Sequence, residues 1–210
     1  MSNGKIESGD NLCLEWCVAR YPKGGEEISG DLFFIKNSGK KVLIAVMDGL
    51  GHGEQAYEAS KQAVQSLNSF TNESLISLVK KCHEDLKSTR GVVMSLAVLD
   101  SEENTLTWLG VGNVEGILLR GKDNKFKKAD TILSCRGILG YKLPLLKASM
   151  ISITPGDMFF FSTDGVRFGY EEEVNLRWSP ESIIKKIVNT YIDSSDDSLI
   201  LAARYKNVNH

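Results

Sequence analysis

Acidic side chains lie at the ends of several apolar runs that have the length of β-strands. Three of these positions lie beside such runs, and they are Asp48, Asp164 and the pair Asp196-Asp197, while Asp31 follows Gly30 at the start of a shorter run. Carboxylates brought together at the rim of a core lose solvation and repel one another, so they stay ionised together only when a cation neutralises them. Oxygen ligands without paired His or Cys suit a hard ion such as Mg²⁺, Mn²⁺ or Ca²⁺. The pattern predicts a metal–carboxylate site and hydrolytic chemistry.

The turn after Asp48 carries glycines at alternate positions, in the order Gly49-Leu50-Gly51-His52-Gly53. Glycine lets the chain turn sharply and brings a backbone carbonyl close to an ion. A helix predicted to begin near Glu54 would point its N-terminus towards the site, where an anion is favoured. His52 by itself is consistent with either a loop or packing histidine or a catalyst.

Other kinds of chemistry are excluded or weakly supported. The sequence has no D-x-[DN]-x-[DN]-G calcium loop, no P-loop and no G-x-G-x-x-G fingerprint. Its four cysteines form no C-x-x-C pair, so zinc and a disulfide framework are poorly supported and buried, inert thiols are expected. A Cys-x5-Arg phosphatase loop is excluded, because the positions that would hold arginine are Ala19, Lys23, Ser88 and Tyr141.

Composition indicates an ordinary globular protein. The 210 residues are 42% hydrophobic and 25% charged, and the formal net charge of −2 argues against nucleic acid or an anionic membrane as a partner. No apolar run reaches the roughly 18–20 residues of a membrane span, and Met1 to Asp10 is polar, unlike a signal peptide. We therefore expect a cytoplasmic protein with a single domain over residues 1–210.

The elements that must position the aspartates are strands and three amphipathic helices. Two helices are predicted by apolar stripes, one from Ala56 to Phe70 and the other from Leu75 to Leu86. The second helix would be capped by Thr71 or Asn72 and would carry His83 on its polar side. Ser179 and Pro180 predict the start of a third helix. The predicted strands are Leu12–Val18, Leu32–Lys36, Val42–Met47, Val92–Leu99, Thr105–Val111, Val114–Arg120, Ser149–Ile153, Met158–Phe161 and Leu199–Ala203. This order predicts an α+β fold with two antiparallel sheets packed together and helices outside.

At these same residues the sequence resembles the PPM family of metal-dependent serine/threonine phosphatases, in its SpoIIE-like bacterial branch. The matching motifs occur in the family's order between residues 29 and 204, and the D-G-x-G-H-G block is the most specific of them. They are Ser29-Gly30-Asp31, Val46 to Gly53, Arg90-Gly91, Gly110-Val111-Gly112-Asn113, Ser162-Thr163-Asp164-Gly165 and Asp196-Asp197. The resemblance implies a four-layer α/β/β/α sandwich with two Mn²⁺ or Mg²⁺ ions at one end.

The resemblance also implies a role for each matching residue. Asp31 would bind one ion, Asp48 would bridge both and the Gly49 carbonyl would be a ligand. Asp164 and the Asp196/Asp197 pair would complete the metal site, with Asp196 favoured and Asp197 still possible. Asp31, Asp48 and Asp164 would thus be catalytic through metal-bound water. Two departures from the family's pattern are Asn113, where some members have Asp, and the lack of a clear counterpart to the arginine that holds phosphate in eukaryotic members, since Arg20 and Lys23 lie near but do not match.

Size and the lack of a predicted sensor domain resemble the stressosome phosphatases of this branch, so the expected partner is a phosphorylated STAS-domain protein of the stressosome. Dephosphorylation would then reset the sigma-factor stress response. Two alternatives remain at this point. One is a phosphatase of an anti-anti-sigma factor, and the other is a non-catalytic pseudophosphatase that serves as a binding module.

Overall fold

In the computed structural model, which describes residues 4–11, 13–121 and 129–206, twelve strands form two six-stranded sheets with three α-helices. The strands are β1 Lys5–Asp10, β2 Leu14–Tyr21, β3 Asp31–Ser38, β4 Lys41–Gly49, β5 Val92–Asp100, β6 Thr105–Val111, β7 Glu115–Leu119, β8 Ala129–Thr131, β9 Ser134–Cys135, β10 Ser149–Ser152, β11 Met158–Ser162 and β12 Ser198–Tyr205. The helices are α1 Glu54–Leu67, α2 Leu75–Asp85 and α3 Pro180–Tyr191.

Strand order in the two sheets differs from order along the chain. The first sheet runs β1-β2-β12-β11-β7-β8, and the second runs β10-β6-β5-β4-β3 with the short β9 in parallel against β6. The second strand of the chain therefore pairs with the last one, Tyr21 opposite Ser198. This pairing places the loop after β2 beside the loop before β12.

Side chains of the central strands alternate between two apolar layers. In β4, Ile44 packs between the two sheets, whereas Leu43 and Met47 pack against α1 and α2. In the other sheet, Phe159 faces the space between the sheets and Phe160 faces α3. Since a strand buried on both faces needs apolar residues at every position, continuous apolar runs are expected here. The predicted four-layer α/β/β/α sandwich is confirmed.

Helices α2 and α3 begin at serine caps, one of which differs from the prediction. Ser179 caps α3 and Pro180 occupies its first turn, as predicted. For α2 the prediction of Thr71 or Asn72 was wrong: Ser74 is the cap, and its hydroxyl accepts a hydrogen bond from the Ser77 amide. The backbone amides of Thr71 and Asn72 both donate to the Glu73 carboxylate, which holds the two residues in a turn before the helix. No helix in the described ranges is long and apolar enough to span a bilayer.

Strand β1 was not predicted, and the expected position of His83 was wrong. The polar segment Lys5–Asp10 is an edge strand that pairs only with β2, and it carries no apolar periodicity because most of its side chains are exposed. The predicted strand Leu12–Val18 corresponds to β2, and Leu12 lies outside the described residues. His83 is buried, at 8% exposure, rather than on the surface, because the loop around Gly140 covers it and the Gly140 amide donates to its Nδ1 at 3.0 Å.

Two of the buried thiols are unsuited to nucleophilic chemistry. All four cysteines are free, and three of them are buried. Burial raises the pKa of Cys17 to about 11 and that of Cys82 to about 12, so both remain protonated near neutral pH. The prediction of inert thiols is confirmed for these residues.

Candidate metal centre

The predicted aspartates meet at one end of the sandwich. Asp31 and Asp48 are cross-strand partners at the ends of β3 and β4. Asp164 follows β11 and the Asp196/Asp197 pair precedes the neighbouring β12. Both sheets thus place carboxylates at the same end of the sandwich. One open cavity of about 300 Å³ lies there, and the residues that line it are Lys23, Asp31, Asp48, Leu50, Gly51, His52, Val93, Asn113, Asp164, Asp196 and Asp197.

Asp31 is the most buried of the five, at 1% exposure. The Thr163 hydroxyl, which comes from the other sheet, donates to its Oδ2 at 2.7 Å. Burial and then the neighbouring charge of Asp48 raise the pKa of Asp31 well above its usual range, while the Thr163 hydrogen bond opposes the shift. Thr163 was not among the predicted site residues, although its place beside Asp164 is a signal that could have identified it.

Asp48 lies at the centre of the cluster. Burial, followed by the charges of Asp164, Asp196 and Asp197, raises the pKa of Asp48 to about 7. A hydrogen bond between the carboxyl groups of Asp48 and Asp31 acts in the opposite direction. A proton shared in this way is what closely spaced carboxyls need when no cation neutralises them.

Asp164 is held from the side by an amide. The Asn113 Nδ2 donates to Asp164 Oδ2 at 2.7 Å, and partial burial together with the Asp196 charge raises the pKa of Asp164. The next residue, Gly165, packs against the loop before β12 so closely that a Cβ there would lie 2.0 Å from the Asp197 carbonyl oxygen. Only glycine permits this approach, which keeps Asp164 beside the Asp196/Asp197 pair.

The two adjacent aspartates have different surroundings. Asp197 is buried, and its two carboxylate oxygens accept hydrogen bonds from the amides of Lys23 at 2.7 Å and Gly30 at 2.8 Å. Asp196 is exposed, and its Oδ1 accepts one hydrogen bond, from the Asp197 amide. Asp197 therefore fastens both ends of the β2–β3 loop, whereas Asp196 keeps more of its carboxylate available to a ligand in the cavity.

Replacing each aspartate of this pair by alanine should separate the two roles. Asp197→Ala leaves the buried Gly30 amide and the partly buried Lys23 amide without an acceptor. A buried donor left unsatisfied costs about 1–3 kcal/mol, so the melting temperature in EDTA should fall by several degrees. Asp196→Ala should melt within about 2 °C of wild type, since exposed substitutions cost little, and should weaken Mn²⁺ binding in a titration. A folded Asp197→Ala protein that loses Mn²⁺ binding, beside an Asp196→Ala protein that retains it, would reverse the assignment.

The glycine-rich turn after Asp48 brings α1 against the metal-site end of β4. A Cβ at Gly49 would lie 2.1 Å from the Ala56 carbonyl oxygen, so glycine is required there for close packing. Gly51 and Gly53 have φ of 92° and 71°, the left-handed region that favours glycine. The sharp turn predicted from the glycines is confirmed, and the ligand role of the Gly49 carbonyl stays a prediction.

His52 forms part of the cavity wall on this turn. Its Nδ1 lies 2.9 Å from Oε1 of Glu26, a residue of the β2–β3 loop. The carboxylate fixes the orientation of the ring, so Nε2 is the nitrogen left to face other groups. The sequence was consistent with His52 as either a loop or packing residue or a catalyst. In the structure His52 lines the aspartate cavity.

The chemistry of the donor set fits a hard divalent cation. The wall offers carboxylate and backbone oxygens, and burial together with mutual repulsion raises the pKa values of Asp31, Asp48 and Asp164. Across the described ranges no three His, Cys, Asp or Glu side chains already surround one point as a finished cage. The carboxylates instead line a common space and hydrogen bond to one another, to Thr163 and to Asn113. A cation would remove the repulsion that these contacts only partly relieve.

Comparison with known proteins identifies similar proteins and a matching family model. Residues 38–206 match the family model described as Stage II sporulation protein E (SpoIIE). The phosphoserine phosphatase RsbX of Bacillus subtilis (strain 168) is 30% identical over 161 residues, which are 77% of this chain and 79% of that protein.

Solved structures with a similar fold include RsbX as well. A crystal structure of RsbX in complex with magnesium superposes with a TM-score of 0.86 at 26% identity, over 96% of this chain and 100% of that one. A structure from work on the bacterial stressosome superposes with a TM-score of 0.80 at 30% identity, over 95% of this chain and 100% of that one.

Proposed function

Because the chain belongs to the SpoIIE family of PP2C-type protein serine/threonine phosphatases, we propose that it dephosphorylates phosphoserine or phosphothreonine on a STAS-domain protein of the stressosome. The observation that carries the chemistry is that five aspartates from two different sheets line one open cavity. The apolar layers stabilise the fold without such a cluster, and without a cation the desolvation and mutual repulsion of the carboxylates are unfavourable.

Two Mn²⁺ or Mg²⁺ ions are the cofactors we propose for this cavity. The residues that would hold them are Asp31, Asp48, Gly49 through its carbonyl, Asp164 and Asp196, with Asp197 as an additional candidate. When bound, such ions polarise phosphoryl oxygens, lower the pKa of water and stabilise the charge that develops in phosphoryl transfer. The chain's own residues orient this donor set: Thr163 fixes Asp31, Asn113 fixes Asp164, and Asp197 holds the loop that carries Lys23.

The substrate proposal rests on the relatives. RsbX is a phosphoserine phosphatase, and the alignment with it covers most of both proteins. The second structural relative comes from work on the stressosome. We extend these associations to this chain as a cytoplasmic phosphatase domain over residues 1–210, whose action resets a stress-signalling complex.

The test offers the purified protein two phosphorylated substrates, a stressosome STAS-domain protein and an anti-anti-sigma factor, and compares kcat/KM with Mn²⁺ present. We expect at least a roughly tenfold preference for the stressosome protein, which corresponds to about 1.4 kcal/mol of differential transition-state binding. An Asp48→Asn preparation, purified in parallel, controls for contaminating phosphatases.

The opposite preference would favour the second candidate, a phosphatase of an anti-anti-sigma factor. The match to the SpoIIE family model keeps this candidate open. Equal rates on both substrates would also contradict the stressosome assignment. Either result would leave the phosphatase chemistry intact, since both substrates are phosphorylated serine or threonine side chains.

A further inference from the structure

One basic residue lines the aspartate cavity. Among the described residues that line it, Lys23 is the only lysine or arginine, beside five aspartates. The lysine is half-buried, and within the described ranges its ammonium group makes no hydrogen bond or ion pair. A cationic group that stands at an acidic site without pairing with it is available to a ligand.

The backbone of Lys23 is fixed on both sides. Its amide donates to Asp197 Oδ1 at 2.7 Å, and its carbonyl accepts from the Glu26 amide at 2.9 Å. The next residue, Gly24, donates to the Ser194 carbonyl at 2.9 Å. Since both backbone groups are bound, the position of Lys23 in the cavity wall is set before any ligand arrives, and only the side chain can move.

The other basic residues nearby are differently placed. The Arg20 guanidinium lies 3.4 Å from the Asp31 carbonyl oxygen and does not line the cavity. The Arg90 guanidinium lies beside Gly51, where an added Cβ would be 2.7 Å from it. Arg90 lines a separate cavity of about 500 Å³, which Glu54 and Glu58 also line. Neither arginine faces the space that the aspartates share.

We propose that Lys23 binds the phosphoryl group of the substrate and of the product, inorganic phosphate, in the metal-loaded site. The inference rests on the proposed function, because it assumes that cations neutralise the aspartates and that a phosphate dianion enters the cavity. A lysine ammonium is a compact charge with three donors on a flexible stem, which suits a phosphate that must be bound and then released. Lys23 thereby supplies a contact for which the sequence offered no clear candidate.

The test compares Lys23→Met, which removes the charge at nearly constant length, with Lys23→Arg, which keeps it. The backbone hydrogen bonds of Lys23 do not involve the side chain, so both variants should fold. Lys40→Met is the matched control, because Lys40 is exposed in the β3–β4 turn, roughly 20 Å along the strands from Asp31 and Asp48.

The first measurement is the binding of inorganic phosphate to the Mg²⁺-loaded proteins by calorimetry, which does not depend on turnover. Lys23→Met should weaken phosphate binding about 10- to 100-fold, the range for one charge-assisted hydrogen bond. Lys23→Arg should restore most of the affinity, and Lys40→Met should equal wild type. Mg²⁺ affinity in Lys23→Met should be unchanged or tighter, since a positive charge has left the site.

The second measurement is the inhibition of p-nitrophenyl phosphate hydrolysis by phosphate, where the inhibition constant should rise by the same factor in Lys23→Met. Wild-type phosphate affinity in Lys23→Met would overturn the proposal. A loss of Mg²⁺ binding or of thermal stability with phosphate affinity unchanged would also overturn it, by assigning Lys23 a structural role. Absence of hydrolysis in the wild type would instead contradict the proposed function, and the calorimetry would still decide the role of Lys23.

Discussion

A folded Asp48→Asn protein is expected to hydrolyse p-nitrophenyl phosphate at least about 100-fold more slowly than wild type in Mn²⁺. Changes in residues that only support metal ligands already cost about 10- to 100-fold, and Asp48 is proposed as a ligand itself. Its carboxyl group interacts with those of Asp31, Asp164, Asp196 and Asp197, so no other side chain in the cluster has a more central place. Wild-type turnover should also vanish in EDTA and return with Mn²⁺ or Mg²⁺.

Asp10→Asn is the matched control for this experiment. Asp10 is an exposed aspartate beside the β1–β2 turn, at the opposite end of β2 from Tyr21 and the cavity. It should retain wild-type turnover, and circular dichroism should show all three proteins folded. Undiminished hydrolysis by Asp48→Asn, or by wild type in EDTA, would contradict the assignment of the cavity as a metal-dependent active site.

The second large effect concerns stability and its dependence on pH without metal. The pKa of Asp48 is about 7 in the folded chain against a usual 3.8, and that of Asp31 is also raised. Between pH 4 and about 7 the folded state therefore binds more protons than the unfolded state, so the free energy of unfolding falls as pH rises through this window. Above about pH 7 the Asp48 carboxyl group is ionised, and its own contribution to the free energy of unfolding is constant and unfavourable. Asp48→Asn removes one titrating charge and relieves the repulsion on Asp31.

The measurement is the difference in melting temperature between wild type and Asp48→Asn in EDTA, from pH 5 to pH 8. We expect the melting temperature of Asp48→Asn to rise relative to that of wild type as pH rises, and to exceed it at pH 8. Taking the difference cancels the titration of groups outside the cluster. A difference independent of pH, or one that falls with pH, would show that the carboxylates do not repel one another as inferred.

Divalent ions should reverse the order of the melting temperatures of wild type and Asp48→Asn at pH 8. One ion at 100 times its dissociation constant stabilises the folded state by about 2.7 kcal/mol, or roughly 5–11 °C for a chain of this size. Wild type should gain this increment in Mn²⁺ at pH 8, whereas Asp48→Asn should lose most of it. Equal Mn²⁺ shifts in the two proteins would place the bound ions elsewhere.

Sequence patterns predicted most of the secondary structure and the five aspartates that the structure brings together at one cavity. Strands such as β4 and β6 are buried on one or both faces. Their apolar residues, together with the turn residues around them, therefore identify these strands from the local sequence. The aspartates follow from the same local signal, because each lies next to a strand that the apolar pattern predicts. Edge strand β1 and the cap of α2 were missed, since exposed strands carry no apolar period and Glu73 holds the earlier candidates in a turn.

Only the tertiary structure decided which residues meet and what each one does there. Asp196 and Asp197 are adjacent and chemically identical in the sequence, yet pairing β2 with β12 buries Asp197 against the amides of Lys23 and Gly30. The same pairing places Lys23 in the cavity wall, 174 residues from the aspartate that holds its backbone. Burial and mutual charge, which set the pKa of Asp48, likewise arise from neighbours on other strands. Long-range packing fixes these contacts, and a local pattern of residue types carries no information about which distant segments will be neighbours.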